Sequence, residues 1–272
     1  MDYIRNKITP MNYSIIGTGF IMPRHAEAIY YTKGKIVDVV NTAHGQNTWK
    51  KAVKNPKTDC VVILTPNDLH FEITLEAAKN KKIVLCEKPL TIDSKKAEIL
   101  SKYPNIFTVL QLRHHPKVRK LKQEIKKDKE YKIKMDISVH RDAWYYKIWK
   151  GQTKRSGGVL FNLGIHYFDL LTHLFGKPTE ARTLTLNDKT GTGIIKGKNY
   201  TCDWKVSTDE TKEKQRRIFK INNKSLNLSS KDNLSYENLH RHVYEDLLKG
   251  RGTNPQEALK SIKLIERLYK SK

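Results

Sequence analysis

Four segments of the 272-residue chain carry side chains whose types and spacing suit chemistry. The turn Gly17-Thr18-Gly19 follows the apolar run 13–16 and precedes a helical stretch over 24–31. Glycines there let a backbone approach a pyrophosphate, and the helix start offers free N–H groups and the positive end of its dipole. Phe20 and Ile21 continue the turn and share the expected cofactor contact, although Met22 stands where the usual fingerprint has a small residue. Thr65-Pro66-Asn67, followed by His70, closes the apolar run 60–66. Glu87-Lys88-Pro89 closes the run 83–86. Ligands of open parallel sheets bind at the carboxyl ends of strands, so both segments are expected to line a cofactor cleft. A lysine in such a cleft orients a hydroxyl and favours its deprotonation. In the fourth segment, 158–173, Asn162, His166, Asp169 and His173 fall at i, i+4, i+7 and i+11 among Leu, Phe, Ile, Val and Tyr. A buried helix with one polar stripe turns it toward a site or a polar network. Histidine is the natural proton acceptor near neutral pH, which makes His166 the expected acid/base.

Each segment also has a plainer reading: a tight turn, a Pro-Asn turn, one lysine among many, a satisfied core histidine. Order along the chain favours the chemical reading, because the first three segments end strands and the fourth follows Ser156-Gly157-Gly158. A metal set of His166, Asp169 and His173 is disfavoured, since cysteines and further carboxylates are missing nearby. No metal is expected.

The elements that must position these residues fall into two regions. Apolar runs at 13–16, 36–40, 60–66, 83–86 and 106–110 alternate with helical patterns at 24–31, 48–54, 71–80 and 95–102. That alternation specifies a doubly wound parallel sheet of the Rossmann type. The second strand ends at Asn41, where an acidic residue usually binds the adenosine ribose, so NAD and NADP both stay open. The stretch 42–49 is too short for the usual helix and strand, and the sheet reads as pruned. After a connecting helix over 115–127, the segment 131–140 alternates like an antiparallel strand with one wet face. A long helix over 158–175 follows, then strand patterns at 181–187, 192–206 and 216–228, with a hairpin candidate at 222–224 and helices at 237–249 and 255–270. The expected architecture is α/β: a Rossmann domain over 1–115, then an α+β domain with an open, mostly antiparallel sheet over 116–272.

Composition narrows the classes. The chain is 38% hydrophobic and has no 18-residue apolar run, so no membrane span is expected, and the opening MDYIRNKITPMN lacks an apolar leader core. Cys60, Cys86 and Cys202 show no metal or disulfide spacing and read as reduced residues of a cytoplasmic protein. Lysine and arginine number 52 against 28 acidic residues, a net +24 that attracts polyanions. The basic residues are dispersed, so a lysine-rich solvated surface is favoured over nucleic-acid binding.

The motifs GTGFIMPRHAEAI, TPNDLH, CEKPL and GGVLFNLGIHYFD, in that order, resemble the Gfo/Idh/MocA family of oxidoreductases. LQLRHHP (110–116), WYYKIWKGQTKRSGG (144–158) and YEDLLKGRG (244–252) are similar to the UDP-N-acetylglucosaminuronate 3-dehydrogenases within it. The resemblance covers about residues 12 to 268. It implies that Lys88 contacts the reacting hydroxyl, with a Lys88-Pro89 bond that is cis in the family, and that His166 is the catalytic acid/base with Asn162 beside it. It further implies NAD as hydride acceptor from C3 of a UDP-sugar, recycling by 2-oxoglutarate in some members, and a homo-oligomer, dimer or tetramer, covering the open sheet. Arg113, Trp149, Lys150, Lys154, Arg155, Ser156, Asn162, His166 and Asp169 are the expected substrate contacts, the basic ones for the pyrophosphate and uronate. Gly17, Gly19, Phe20, Ile21, Asn41, Thr65, Pro66, Asn67, His70, Glu87 and Lys88 are the expected cofactor contacts. The rivals are a dehydrogenase for another sugar or an inositol, and a non-catalytic relic that binds a cofactor or polyanion.

Overall fold

A computed structural model describes residues 10–42, 45, 47–222, 224–227 and 236–271. Most of the opening segment 1–12, part of the 42–49 stretch and the centre of the 222–224 hairpin lie outside these residues. The chain divides into two compact units. The first takes the described residues up to Gln111 and returns for those from 236 to Leu259, and the second takes the rest. The sequence places one division at 115; here the first unit runs to Gln111, and part of the downstream chain, up to Leu259, belongs to it as well.

In the first unit, β1 (Asn12–Ile16), β2 (Lys35–Val40), β3 (Cys60–Ile63), β4 (Ile83–Cys86) and β5 (Ile106–Thr108) form a parallel sheet in the order β2-β1-β3-β4-β5. Strands β3, β4 and β5 are buried at every position, which is why they read as unbroken apolar runs. The doubly wound dinucleotide order has one more strand beyond the second. Here β2 is the edge, and along the chain no further strand lies between it and β3 among the described residues, in keeping with the short 42–49 stretch. Helices α1 (Met22–Tyr31), α2 (Trp49–Lys54), α3 (His70–Lys79) and α4 (Ser94–Leu100) connect the strands. Asp93 caps α4 by accepting the N–H groups of Lys95 and Lys96, as its position predicts.

In the second unit, α5 (Pro116–Glu124) precedes β6 (Tyr131–Ser138). Short helices α6 (Ala143–Lys147) and α7 (Thr153–Ser156) lead to α8 (Ile165–Phe175), followed by β7 (Glu180–Leu186), β8 (Thr190–Lys196), β9 (Tyr200–Ser207), β10 (Arg216–Ile221) and β11 (Lys224–Asn227). The single strand expected over 192–206 is thus two, turning at Gly197. The sheet order is β11-β10-β6-β9-β8-β7. Its pairs are antiparallel except one: β6 runs antiparallel to β10, as its alternation suggests, and parallel to β9. Alternation reports two unlike faces and says nothing about the direction of a neighbour. Helix α9 (Tyr236–Leu248) returns to the first unit, where Val243, Tyr244 and Leu247 join a core with Tyr13, Ile15 and Ile29. In α10 (Pro255–Lys270) the unit boundary falls between Leu259 and Lys260.

One face of the second sheet carries Ile133, Met135, Ile137, Cys202, Trp204 and Val206, all buried. The opposite face pairs Lys134 with Asp203 and Asp136 with Lys205 across β6 and β9. That face is polar, so the apolar pressure to cover it is weak.

The long helix expected over 158–175 is interrupted. Leu160–Gly164 is a π-helical turn, and only from Ile165 is the helix α. Gly157 and Gly158 both sit at φ +79° just before it. A Cβ on Gly158 would lie 2.4 Å from the Tyr269 hydroxyl, which accepts the Leu160 N–H at 3.3 Å. Gly158→Ala therefore combines a left-handed backbone with a steric clash and should cost about 2–4 kcal/mol, read as a lowered midpoint in urea. Adding Tyr269→Phe should recover part of the loss. A single substitution with an unchanged midpoint would refute the clash.

Candidate active site

The expected cofactor residues of the first unit gather at the carboxyl ends of its strands. Gly17, Gly19, Phe20 and Ile21 follow β1, Asn41 follows β2, Thr65, Pro66 and Asn67 follow β3, and Glu87 and Lys88 follow β4. Strand order reverses between β1 and β3, the switch point at which open sheets bind ligands. Gly17 has φ +107°, and a Cβ there would lie 2.7 Å from the Leu64 carbonyl, so only glycine lets β1 turn this close to β3. A Cβ on Gly19 would meet no described atom within 4 Å, and Phe20 is 77% exposed, which leaves that side of the turn open. Helix α1 starts from Ile21 with no side-chain cap among the described residues. The Thr65 hydroxyl is buried without a hydrogen-bond partner among them. An open glycine turn, an uncapped helix start and a buried hydroxyl at the next strand end fit a dinucleotide.

His70 is buried with Nδ1 2.7 Å from the Pro89 carbonyl oxygen and Nε2 2.9 Å from that of Thr65. It ties the ends of β3 and β4 together. Burial pushes its pKa down, and the two carbonyls oppose this. The Lys88-Pro89 bond is cis. Glu87 is buried, and its Oε2 accepts the Lys88 N–H at 3.1 Å. Its Oε1 lies 3.0 Å from His25 Nε2 and 3.6 Å from His240 Nε2. His25 Nδ1 faces the Tyr244 hydroxyl at 2.9 Å. Burial alone would raise the Glu87 pKa, but the close approach of the His240 ring and the hydrogen bond with His25 hold it well below the usual carboxylate range. Burial pushes His25 down, and its Glu87 partner only partly offsets this. Sequence reasoning missed His25, His240 and Tyr244. No spacing links residue 25 to residue 240; only the return of α9 brings them together.

In the second unit, Asn162 and His166 are half-buried on the π turn and α8, while Asp169 is buried. Arg113 holds Asp169 through two parallel bonds, Nε to Oδ2 at 2.8 Å and Nη2 to Oδ1 at 2.7 Å. Both expected substrate residues thus engage each other in a nearly buried pair. Asn162 Nδ2 donates to the Tyr145 hydroxyl at 2.5 Å and to the Lys150 carbonyl at 3.4 Å, joining the helix to the segment 145–150. Trp149 and Lys150 lie on a short 3-10 turn with the Lys150 ammonium over the Trp149 ring. Lys154 is exposed and Arg155 half-buried on α7. Ser156 is fully buried, donating to the Gln152 carbonyl and accepting the Gly158 N–H, each at 3.1 Å. Its hydroxyl holds the glycine turn.

The strand order and the glycine turn at its switch point define a dinucleotide-binding unit, followed in the chain by a mixed-sheet α/β unit. The chain belongs to the Gfo/Idh/MocA oxidoreductase family: residues 11–104 match its NAD-binding Rossmann fold and residues 120–192 its C-terminal alpha/beta domain. The match over residues 11–104 is to an NAD-binding fold, in agreement with the expected nicotinamide cofactor. Among relatives, the 2,7-anhydro-N-acetylneuraminate hydratase of Escherichia coli K12 is 29% identical over 194 residues, 64% of this chain and 52% of that protein. The myo-inositol 2-dehydrogenase of Thermotoga maritima is 25% identical over 62% of this chain and 56% of that protein. The chain thus matches about half the length of these curated relatives. The WlbA (WbpB) dehydrogenase of Thermus thermophilus, crystallised with NAD and alpha-ketoglutarate, has a TM-score of 0.83 at 25% identity, covering 93% of each chain. The same dehydrogenase was also crystallised with NAD and UDP-GlcNAcA (TM-score 0.82, 24% identity, 94% of this chain and 93% of that one). No described helix is long and apolar enough to cross a membrane.

The buried pair sets a pH dependence. His25 has a depressed pKa and stays neutral when folded, whereas the unfolded chain binds a proton near the ordinary value of about 6.5. Glu87 has a depressed pKa, so its contribution is present above the ordinary carboxyl value and is lost as pH falls through the folded one. Both effects lower stability as pH falls, the first from about pH 6.5 and the second from about pH 4.5. Calorimetry should show an unfolding midpoint that is level above about pH 7 and declines steadily below about pH 6.5. A midpoint as high at about pH 5 as at about pH 8 would mean that His25 is charged in the fold.

Proposed function

We propose that the chain oxidises the C3 hydroxyl of a UDP-linked N-acetylhexosamine uronate, in nucleotide-sugar and polysaccharide synthesis. The observation that carries this reading is one chain holding a strand-end lysine, Lys88, and a half-buried histidine, His166, on an otherwise apolar helix, in a fold like that of a dehydrogenase crystallised with NAD and UDP-GlcNAcA. NAD supplies the hydride acceptor. The Lys88 ammonium donates to the reacting oxygen and favours loss of its proton, and a ring nitrogen of His166 takes that proton. The C3–H bond breaks as the C3–O double bond forms, leaving a ketone. Trp149, Lys150, Lys154 and Arg155 bind the nucleotide and uronate end, and the Arg113–Asp169 pair braces the helix that carries His166.

A second reading, a dehydrogenase of another sugar or an inositol, is favoured by the likeness to the myo-inositol 2-dehydrogenase. Absorbance of NADH with a panel of UDP-N-acetylhexosamine uronate, UDP-N-acetylhexosamine and inositols separates the two. Turnover of the uronate alone is expected. His166→Asn and Lys88→Ala should each lower kcat by about 10²–10⁴-fold while NAD affinity is kept. A variant within a few-fold of wild type would remove that residue from the mechanism.

The reading includes a cytoplasmic location, in keeping with three free buried cysteines, and a homo-oligomer. The charged pairs of the open sheet face make association through it electrostatic. Light scattering should give a multimeric mass that falls as salt rises from about 0.05 M to about 1 M. A monomer at low salt would dismiss the assembly.

A further inference from the structure

The proposed chemistry uses Lys88 and leaves four buried side chains of the same unit without a role. We infer that His25, Glu87, His240 and Tyr244 form one hydrogen-bonded clamp that positions Lys88, deepening the dehydrogenase reading on which it rests. The four come from α1, the end of β4 and α9. His25, His240 and Tyr244 are fully buried. Protons have one consistent order along the clamp. The Tyr244 O–H donates to His25 Nδ1 at 2.9 Å, which leaves the His25 Nε2–H for Glu87 Oε1 at 3.0 Å. The reverse order would place the donor on Glu87, and burial also disfavours a charged imidazole. His240 closes on the same carboxylate oxygen, with its ring edge-on to His25 at 5.0 Å.

The other carboxylate oxygen takes the Lys88 N–H at 3.1 Å. A buried carboxylate stays charged only when several donors satisfy it, and here donors reach both oxygens. The clamp therefore does two things for the neighbouring residue. It pins the backbone from which the Lys88 side chain departs. It also sets a negative charge one residue away in a medium of low dielectric, which favours the ammonium form of Lys88. An ammonium held in place is a preorganised donor for an oxygen gaining negative charge. The ligand-type atoms of His25, Glu87 and His240 also lie within 4.8 Å of one another, a spacing a divalent cation could bridge. The hydrogen-bonded reading is favoured because two of those atoms, His25 Nε2 and Glu87 Oε1, already lie 3.0 Å apart as donor and acceptor.

The test uses the full chain and a readout that needs no substrate. Acetylation of Lys88 by dilute acetic anhydride, followed by peptide mass spectrometry across pH, reports its ammonium pKa. Glu87→Gln removes the charge and keeps the shape. The labelling midpoint should fall by about one unit, because an ammonium loses its favourable neighbour. The alkaline limb of kcat should move down with it, kcat should drop about tenfold, and the KM for NAD should stay within about twofold. Tyr244→Phe keeps the core ring and carries the same test with a smaller shift in the same direction, should Glu87→Gln fail to fold. His25→Gln, which retains a donor toward Glu87, should keep more activity than His25→Leu. A folded Glu87→Gln chain whose Lys88 midpoint does not move overturns the clamp. So does stoichiometric metal in the purified protein that Glu87→Gln abolishes. Wild type that turns over no sugar would sink the proposed function alone, since the labelling still decides the clamp.

Discussion

A carboxylate buried in a protein core must be surrounded by donors or it will not stay charged, and much of the first unit is arranged around that constraint at Glu87. Apart from the neighbouring Lys88 N–H, its partners come from distant parts of the chain. His25 arrives on the helix after the glycine turn, and His240 on a helix more than half the chain further on. The first unit is complete only when α9 returns to it, which explains why the compact unit is not one continuous stretch. The same helix adds Val243, Tyr244 and Leu247 to the apolar core, and His240, Tyr244 and Leu247, at i, i+4 and i+7, put clamp and core on one face of one element.

The second unit solves a similar problem with a charged pair. Asp169 lies on an otherwise apolar helix, and Arg113 meets it with a bidentate geometry that satisfies both oxygens. Removing either partner would leave an uncompensated charge, so the pair locks the start of the unit to α8. Upstream, two left-handed glycines and a π turn set the direction in which that helix begins, with Tyr269 filling the space a side chain would need. A π turn adds a residue to the helical repeat and re-aims the side chains around it, a device often found at functional sites. Asn162 sits on this turn and His166 just beyond it.

Much of the site was legible because its residues lie at strand ends. A buried parallel strand reads as an apolar run, and the polar residue that ends the run is the one a ligand can reach. Gly17, Thr65, Glu87 and Lys88 all follow this rule. Other features were illegible for stated reasons. The bond between Arg113 and Asp169 joins residues 56 apart, and a helical wheel shows only that Asp169 needs some partner. The interruption at Leu160–Gly164 leaves the composition of the helix unchanged. The buried Ser156 looks in sequence like any hydroxyl beside a glycine loop.

What the sequence by itself determined is local and periodic: where most strands and helices run, where the glycine turn lies, that the stretch after β2 is short, and that Lys88 ends a strand while His166 lies on a mostly apolar helix. These follow from short-range rules of burial and backbone freedom, which act within a few residues. Only the tertiary structure decided which way β6 runs beside β9, which unit claims α9, and which charges neutralise one another. Those outcomes depend on pairings across tens to hundreds of residues, and no periodicity records them, because a side chain's burial shows that it needs a partner and not which residue supplies it.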